Sequence, residues 1–427
     1  MRFAYVLSQF PARSETFIAR EMQALVDAGH AVQVMRMRWS DTGTGERVQG
    51  ADVSPILLRP DEALKGLRWA LRQNRSVLNE MVRSIWTLRA SVGLKVRLVG
   101  VALAACAAGA RLTDESVDHI RAHFLDMEAV GAYWLAQLLD IPFSVTAQTT
   151  TRRLPDPFLR SILNAASLCV STTAATHRFL TETCPGQPVS MIRSGLRLDS
   201  LPQRPSRERA RRFRVLAVGR LVPKKGFGVL LNACAQLQKR GEGTVQCTVI
   251  GDGPLRQALE RQARRLGIRE QVTFRGALPF RSVQAAYAEA DLLVAPSRRD
   301  PRTGDVDGLP NVLIEAAAAR LPVLATRIGG IEDLVQPGRT GRLVEPGDAR
   351  SLAQAMARIA KAYEEALRRA DTAYEHVHAH FDLEEQVQRL VEAIQSPRKP
   401  TPDPESKGAG PDAGLDSPGL FGRPSQG

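Results

Sequence analysis

The sequence predicts an α/β protein built from two Rossmann-like, doubly wound parallel sheets that face each other across a cleft. Two observations predict it. Short β-branched runs alternate with helical stretches along most of the chain. One proline- and charge-rich interruption, SLPQRPSRERARRFR at 200–214, divides that alternation into two series. With 427 residues, 44% hydrophobic and 24% charged, the chain is long and apolar enough for two cores of ordinary size.

In the first series the strand candidates are AYVLSQF, AVQVMRM, VDHIRAHF, FSVTAQ, SLCVSTT and PVSMIRSG, and a helix fits between Ser14 and the terminating Gly29. Residues 59–111 break the alternation. They read as wholly helical and basic, with Arg68, Arg72, Arg75, Arg83, Arg89, Lys95 and Arg97 among Leu, Val and Trp. The most apolar part, 98–110, is shorter than the roughly 20 residues a bilayer span needs. A basic amphipathic helix can lie on an anionic membrane, and a core helix with a solvated basic face reads the same way. The second series is more regular: FRVLAVGRL, VQCTVIGDG, QVTFRGAL, DLLVAPS, LPVLAT and GRLVEPG, most followed by a helical stretch. In such sheets ligands bind at the carboxyl ends of the strands. The expected organisation is therefore an N-terminal domain over 1–199 carrying the insert, a linker over 200–213 and a C-terminal domain over 214–363. A C-terminal helix over 364–395 should pack back toward the first domain, ahead of a Pro/Gly/Ser-rich, disordered tail over 396–427.

A formal charge of +13, from 58 Lys and Arg against 45 Asp and Glu, favours anionic partners such as a phosphorylated substrate or an acidic membrane. Aromatic residues make up only 5% and do not interleave with basic ones, which argues against single-stranded nucleic acid. The five cysteines show neither CxxC pairing nor metal-ligand spacing, as expected of a reduced, cytoplasmic protein. RFAYVLSQF after Met1 is too brief an apolar run for a secretory signal and reads as the first strand.

DVDGLPNVLIEA at 305–316 carries the most chemistry. Pro310 suits the first position of a helix, Gly308 frees the loop before it, and the amides of Asn311 and Val312 should point out of the helix start. An anion can dock there, favoured by the helix dipole. Glu315 leans back toward the same crevice, where a carboxylate is useful if it faces sugar hydroxyls. Phosphate on amides and sugar on carboxylates together describe a sugar nucleotide. Acids near a helix start also stabilise many helices with no ligand at all, and taken alone the motif fits that reading equally well. GRLVPKKG at 219–226 shifts the balance, because Arg220, Lys224 and Lys225 can neutralise a diphosphate as it leaves. Its alternative is a solvated basic loop. GDGPL at 251–255 opens a helix but has Arg256 where a dinucleotide fingerprint needs its third glycine, so a nicotinamide site is poorly supported. His119 and His123 share one face of a strand without further ligands nearby, which favours packing or substrate contact over metal. No nucleophile elbow supports acyl transfer.

The order GR, KKG, GDGP, ADLLVAPS, DGLPNVLIEA and LPVLAT, continuing into IGGIEDLV and GRLVEPGD, is similar to the nucleotide-sugar domain of the family 4 glycosyltransferases, which have the GT-B fold. LSQFPARSETFIAREMQAL, HIRAHF and IPFSVTAQ resemble the subgroup that serves exopolysaccharide assembly of the colanic-acid and amylovoran type. The resemblance implies a retaining, metal-independent transfer from a nucleotide diphosphate sugar to a hydroxyl of a lipid-linked or polysaccharide acceptor, with no cofactor. It implies that Arg220 and Lys225 hold the diphosphate, beside Gly219 and Gly253, and that Glu315 holds the ribose. Asp307 and the backbone through Gly308, Leu309, Asn311 and Val312 would take the donor sugar and distal phosphate, and Arg275 would lie by the base. The leaving phosphate would help deprotonate the acceptor. Phe10, Ser14, Glu15 and Thr16, together with His123, would form the acceptor side, with Gln148 at the reaction centre.

Three departures from the family pattern stand out. Asp307 occupies the usual place of a Glu; Gln148 and Thr151 replace a His and an Asp; Arg193 and Ser194 replace His-Asn before Gly195. Gln can hydrogen-bond a hydroxyl but cannot take up a proton as His can. That leaves two further expectations open: a catalytically silent partner of another transferase, and a nucleotide-sugar epimerase.

Overall fold

The computed structural model describes residues 1–10, 15–37, 48–55, 60–151, 153–198, 212–241 and 245–396. Ser14, most of the expected linker and the tail from 397 lie outside the described residues.

The N-terminal lobe runs β1 (Arg2–Leu7), α1 (Thr16–Asp27), β2 (Ala31–Arg36), β3 (Asp52–Pro55), α2 (Pro60–Gln73), α3 (Arg75–Thr87), α4 (Val92–Leu112), β4 (His119–His123), α5 (Met127–Leu139), β5 (Phe143–Ala147), α6 (Asp156–Ala165), β6 (Leu168–Ser171), α7 (Ala174–Thr183) and β7 (Val189–Met191). The C-terminal lobe runs β8 (Phe213–Val218), α8 (Phe227–Lys239), β9 (Val245–Ile250), α9 (Arg256–Arg265), β10 (Val272–Gly276), α10 (Phe280–Glu289), β11 (Leu292–Ala295), α11 (Asn311–Ala318), β12 (Val323–Thr326), β13 (Arg342–Val344) and α12 (Ala349–Lys361). Two helices, α13 (Tyr363–His380) and α14 (Leu383–Gln395), close the described chain.

Each lobe holds one sheet whose strand pairs are all parallel: β3-β2-β1-β4-β5-β6-β7 in the first and β10-β9-β8-β11-β12-β13 in the second. Helices cover both faces of the first sheet, which is why its strands are apolar on both sides. Ala4, Val6, Ile120 and Ala122 meet α4 and α5 on one face, while Phe3, Tyr5 and Leu7 meet α1 and α14 on the other.

The last expected helix is in fact two. Asp382 caps α14 by accepting a hydrogen bond from Glu385 N at 2.9 Å, which ends α13 and turns the chain. Phe381 stays in the second lobe's core, whereas Leu383 and Val387 enter the first lobe's. Gly195 lies against this crossover, where a Cβ would stand 2.5 Å from Leu383 Cα, and Arg193 N donates to Gln386 Oε1 at 2.9 Å. The departure at Arg193 and Ser194 thus falls where the two lobes are stitched together. Strand β3 is an addition to the sequence expectation.

Candidate active site

In each sheet the strand order reverses once, around β1 between β2 and β4, and around β8 between β9 and β11. A crevice forms outside the carboxyl ends of the strands at such a point. The loops that matter therefore follow β1 and β4 in one lobe, and β8 and β11 in the other.

After β8 the chain makes a short 3-10 turn at Pro223–Lys225 and reaches Gly226 at φ +68°. A Cβ on Gly226 would lie 1.8 Å from the Pro296 carbonyl oxygen, so only glycine lets the loop after β8 rest on the loop after β11. Arg298 N donates to Lys224 O at 2.8 Å across the same contact. The lysines are thereby carried onto the acids of the DVDG loop. Lys225 Nζ lies 2.9 Å from Asp307, and Lys224 Nζ lies 3.3 Å from Asp307 and 2.9 Å from Asp305. Ser297 Oγ donates to Asp307 at 3.0 Å. Burial alone would raise the Asp307 carboxyl, but Lys225, Lys224 and the Ser297 hydrogen bond together hold it below the usual carboxylate range.

Pro310 caps α11 rather than filling its first turn, and no side chain hydrogen-bonds to that helix start. The other lobe meets the loop directly. A Cβ on Gly308 would stand 2.1 Å from the Gln148 carbonyl oxygen, and Thr151 Oγ1 donates to Asp305 at 2.9 Å. Arg153 adds a contact to Asp305 at 3.5 Å. Thr151, where the pattern it resembles has an Asp, lies where a carboxylate would confront Asp305, and its hydroxyl donates there instead. That substitution has a structural reason within this chain.

Glu315 is buried, accepting from the Tyr287 hydroxyl at 2.7 Å and from Arg20 Nη2 at 3.3 Å. Burial, then the charge of Glu315, pushes the Tyr287 hydroxyl well above its ordinary range. The Arg20 guanidinium also lies 4.8 Å over the Phe280 ring, so a helix of the first lobe reaches the carboxylate expected to hold ribose. Arg220 is exposed and forms no ion pair among the described residues. Its charge is felt by Glu15 of the first lobe. Burial raises the Glu15 carboxyl to about 7; Glu128, at the start of α5, adds to the rise and Arg220 opposes it. Leu221 N donates to Asp252 O at 2.9 Å and Gly251 N to Gly276 O at 2.8 Å, which ties the ends of β8, β9 and β10 together. Gly219 and Gly253 lie in that cluster, and Arg275 is exposed at its outer edge.

Two acceptor-side expectations are corrected. His123 is 1% exposed, with Nε2 3.1 Å from Glu21 and its ring stacked on Tyr5, so it packs the lobe interior instead of facing an acceptor. Phe10 is 5% exposed and belongs to the same core as Phe3 and Tyr5. The resemblance places both on the acceptor side, and it does not reveal that α1 covers that face. Glu15 and Thr16 remain partly accessible, as does Gln148 at the end of β5. Arg20, Tyr287 and Glu128 carry no local motif and emerge only from the packing.

Residues 212–362 match the model of the glycosyl transferases group 1 family. Over 378 residues the chain is 27% identical to WcaL of Escherichia coli, a candidate colanic acid biosynthesis glycosyltransferase, covering 84% of this chain and 90% of that one. It is 25% identical to the amylovoran biosynthesis glycosyltransferase AmsK of Erwinia amylovora, over 84% and 91% of the two chains. The chain is related to the family 4 glycosyltransferases of the colanic-acid and amylovoran type. The structure of Anabaena HepE in complex with UDP and glucose superposes with a TM-score of 0.66 at 19% identity, covering 93% of this chain and all of that one. That likeness establishes the GT-B fold expected from the sequence. Of the three departures from the pattern it resembles, Gln148 and Thr151 sit at the contact between the lobes, and Asp307 precedes Gly308, which meets the Gln148 carbonyl there.

Proposed function

We propose that this chain is a retaining glycosyltransferase that moves a sugar from a nucleotide diphosphate sugar to a hydroxyl of a lipid-linked or polysaccharide acceptor in exopolysaccharide assembly. The observation that carries this is the gathering of Lys224, Lys225, Asp307 and the start of α11 at the strand reversal of one lobe, opposite the raised carboxyl of Glu15 in the other. Arg220 and Lys225 would neutralise the departing diphosphate, and the backbone of Gly308 through Val312 would hold the distal phosphate. Asp307 and Gln148 would hold sugar or acceptor hydroxyls, Glu315 the ribose, and Arg275 would border the base. Because HepE is described with UDP, uridine donors head the candidates. The five free, buried cysteines suit a reducing, cytoplasmic setting.

A thermal-shift screen across UDP-, GDP-, ADP- and dTDP-sugars tests the donor site. A ligand at about 100 times its Kd adds about 2.7 kcal/mol to the folded state, which reads as a shift of several degrees. One nucleotide class should produce it, and Glu315→Ala should remove it. Silence across all four would count heavily against the donor site. Gln148, which cannot replace the family's His as a proton acceptor, favours the alternative of a silent partner protein. Release of nucleoside diphosphate in the presence of membrane acceptors excludes that alternative, and donor conversion without acceptor would reveal an epimerase instead.

Glu15 supplies a pH prediction. Its carboxyl, raised to about 7 by burial and by Glu128 against the pull of Arg220, loses its proton near neutrality. The rate should therefore change through a limb near that pH, and Glu15→Gln should flatten it. An identical profile in Glu15→Gln would remove Glu15 from the reaction.

A further inference from the structure

Among the described residues, every large apolar side chain that is exposed lies on α2, α3 or α4. On α4, Val92, Val96 and Val99 recur at helical spacing and line one face; on α3, Val82 and Trp86 do the same. Trp86 is 75% exposed and Val92 79%, and they flank the turn that joins the two helices. Lys95 Nζ donates to Trp86 O at 3.0 Å, which draws α4 against the end of α3. Arg83, Arg89 and Lys95 stand in the same stretch, with Arg97 turned toward Asp126 at 3.7 Å, and no Asp or Glu occurs from 81 to 113. Single exposed apolar residues are ordinary, but five of these seven (Val82, Trp86, Val92, Val96 and Val99) cluster on α3 and the start of α4, around one basic turn.

Helix α4 is long and apolar enough to cross a membrane by length and composition. Its second half, however, is core. Leu98, Val101 and Ala104 to Gly109 are buried, and a Cβ on Gly66 of α2 would stand 2.5 Å from Ala107 N. Only the amino-terminal end of α4 faces outward, so this helix is anchored in the lobe.

We propose that the α3–α4 turn docks on an anionic lipid bilayer, with Trp86, Val92 and Val96 entering the interfacial layer and the surrounding cations meeting lipid headgroups. Trp favours that layer because its ring is apolar and its N–H is polar. The cations select anionic lipid. A second copy is a poorer occupant, because pairing this face with itself would oppose like charges. The proposal does not depend on the reaction argued above.

The test is sedimentation of the full chain with vesicles of phosphatidylglycerol in phosphatidylcholine, against phosphatidylcholine alone, at low ionic strength. Binding is expected to the first only, and to weaken with salt. Trp86→Ser with Val96→Ser should reduce it roughly tenfold or more, as should Arg83→Gln with Arg89→Gln. Neither pair touches the donor site, so donor-induced thermal shifts should persist. Brominated lipid should quench the parent's fluorescence more than that of Trp86→Phe. Equal binding to both vesicle types, unchanged binding by Trp86→Ser/Val96→Ser, or no binding would overturn the proposal. So would a dimer that those substitutions dissolve without any vesicle binding, which would assign the face to a second copy.

Discussion

Lys225→Ala is expected to lower the turnover of donor and acceptor by about 10²–10³-fold, the usual loss when one preorganised donor to a developing negative charge is removed. Gly226 permits the turn that presents Lys225, and Pro296 packs against it, so the ammonium is fixed before any substrate arrives. Its distance of 2.9 Å to Asp307 places it at the loop that opens α11. Charge on a diphosphate grows as the glycosidic bond breaks, so kcat should fall more than KM rises. The variant also strips a buried carboxylate of its nearer cation, which could weaken folding and imitate a catalytic loss. Asp307 keeps Lys224 at 3.3 Å and the Ser297 hydroxyl, so folding should survive. Adding Asp307→Asn to Lys225→Ala should recover any lost melting temperature without recovering turnover. Parental kcat in Lys225→Ala would remove that lysine from the chemistry.

The two sheets were legible because parallel strands covered on both faces must be apolar runs, and the linker interrupts them visibly. Strand β3 escaped because DVSP, with an Asp and a Pro, has little strand character; its pairing with β2 at the sheet edge defines it. The break between α13 and α14 was hidden because Asp382 caps one helix within an otherwise continuous helical pattern. At the site, GRLVPKKG and DVDGLPN stood out by their charges and by the Gly and Pro among them, and Gly226 and Gly308 are where loops and lobes touch. Arg20 and Tyr287 could not be read. Each reaches Glu315 from a separate helix, one of them in the other lobe, and no local pattern records such a meeting. His123, which the resemblance puts on the acceptor side, differs for a related reason: alternation says that His119, Arg121 and His123 share a face of β4, but not that α1 closes it.

That closed face should make Glu21→Ala the most destabilising substitution described here, at about 3–5 kcal/mol, the range for removing one partner of a buried ion pair. Arg121 is fully buried and holds Glu21 through two hydrogen bonds, Nε to Oε1 at 2.7 Å and Nη2 to Oε2 at 3.0 Å. The Tyr5 hydroxyl donates to the same carboxylate at 2.7 Å. Alanine would leave the guanidinium with Ser144 Oγ at 3.3 Å and no opposing charge. At about 2–4 °C per kcal/mol for a lobe of this size, the melting temperature should drop clearly. Glu21→Leu with Arg121→Met should recover most of that loss, because apolar pairs often replace buried ion pairs at little cost. The same network sets acid sensitivity. Burial would raise Glu21, but Arg121 and His123 outweigh it and depress the carboxyl; burial lowers His123, and burial with Arg121 lowers His119 to about 3. An unfolded chain binds protons at these histidines below about pH 6.5 and at the glutamate below about pH 4.3, where the folded lobe resists them. Stability is therefore present at neutral pH and lost as pH falls, first through the histidines and then through Glu21. Scanning calorimetry from about pH 7 down to about pH 4 should show the N-terminal lobe's melting temperature falling throughout, more shallowly in the Leu/Met pair. A flat melting temperature over that interval would mean that the network does not hold its charges as described.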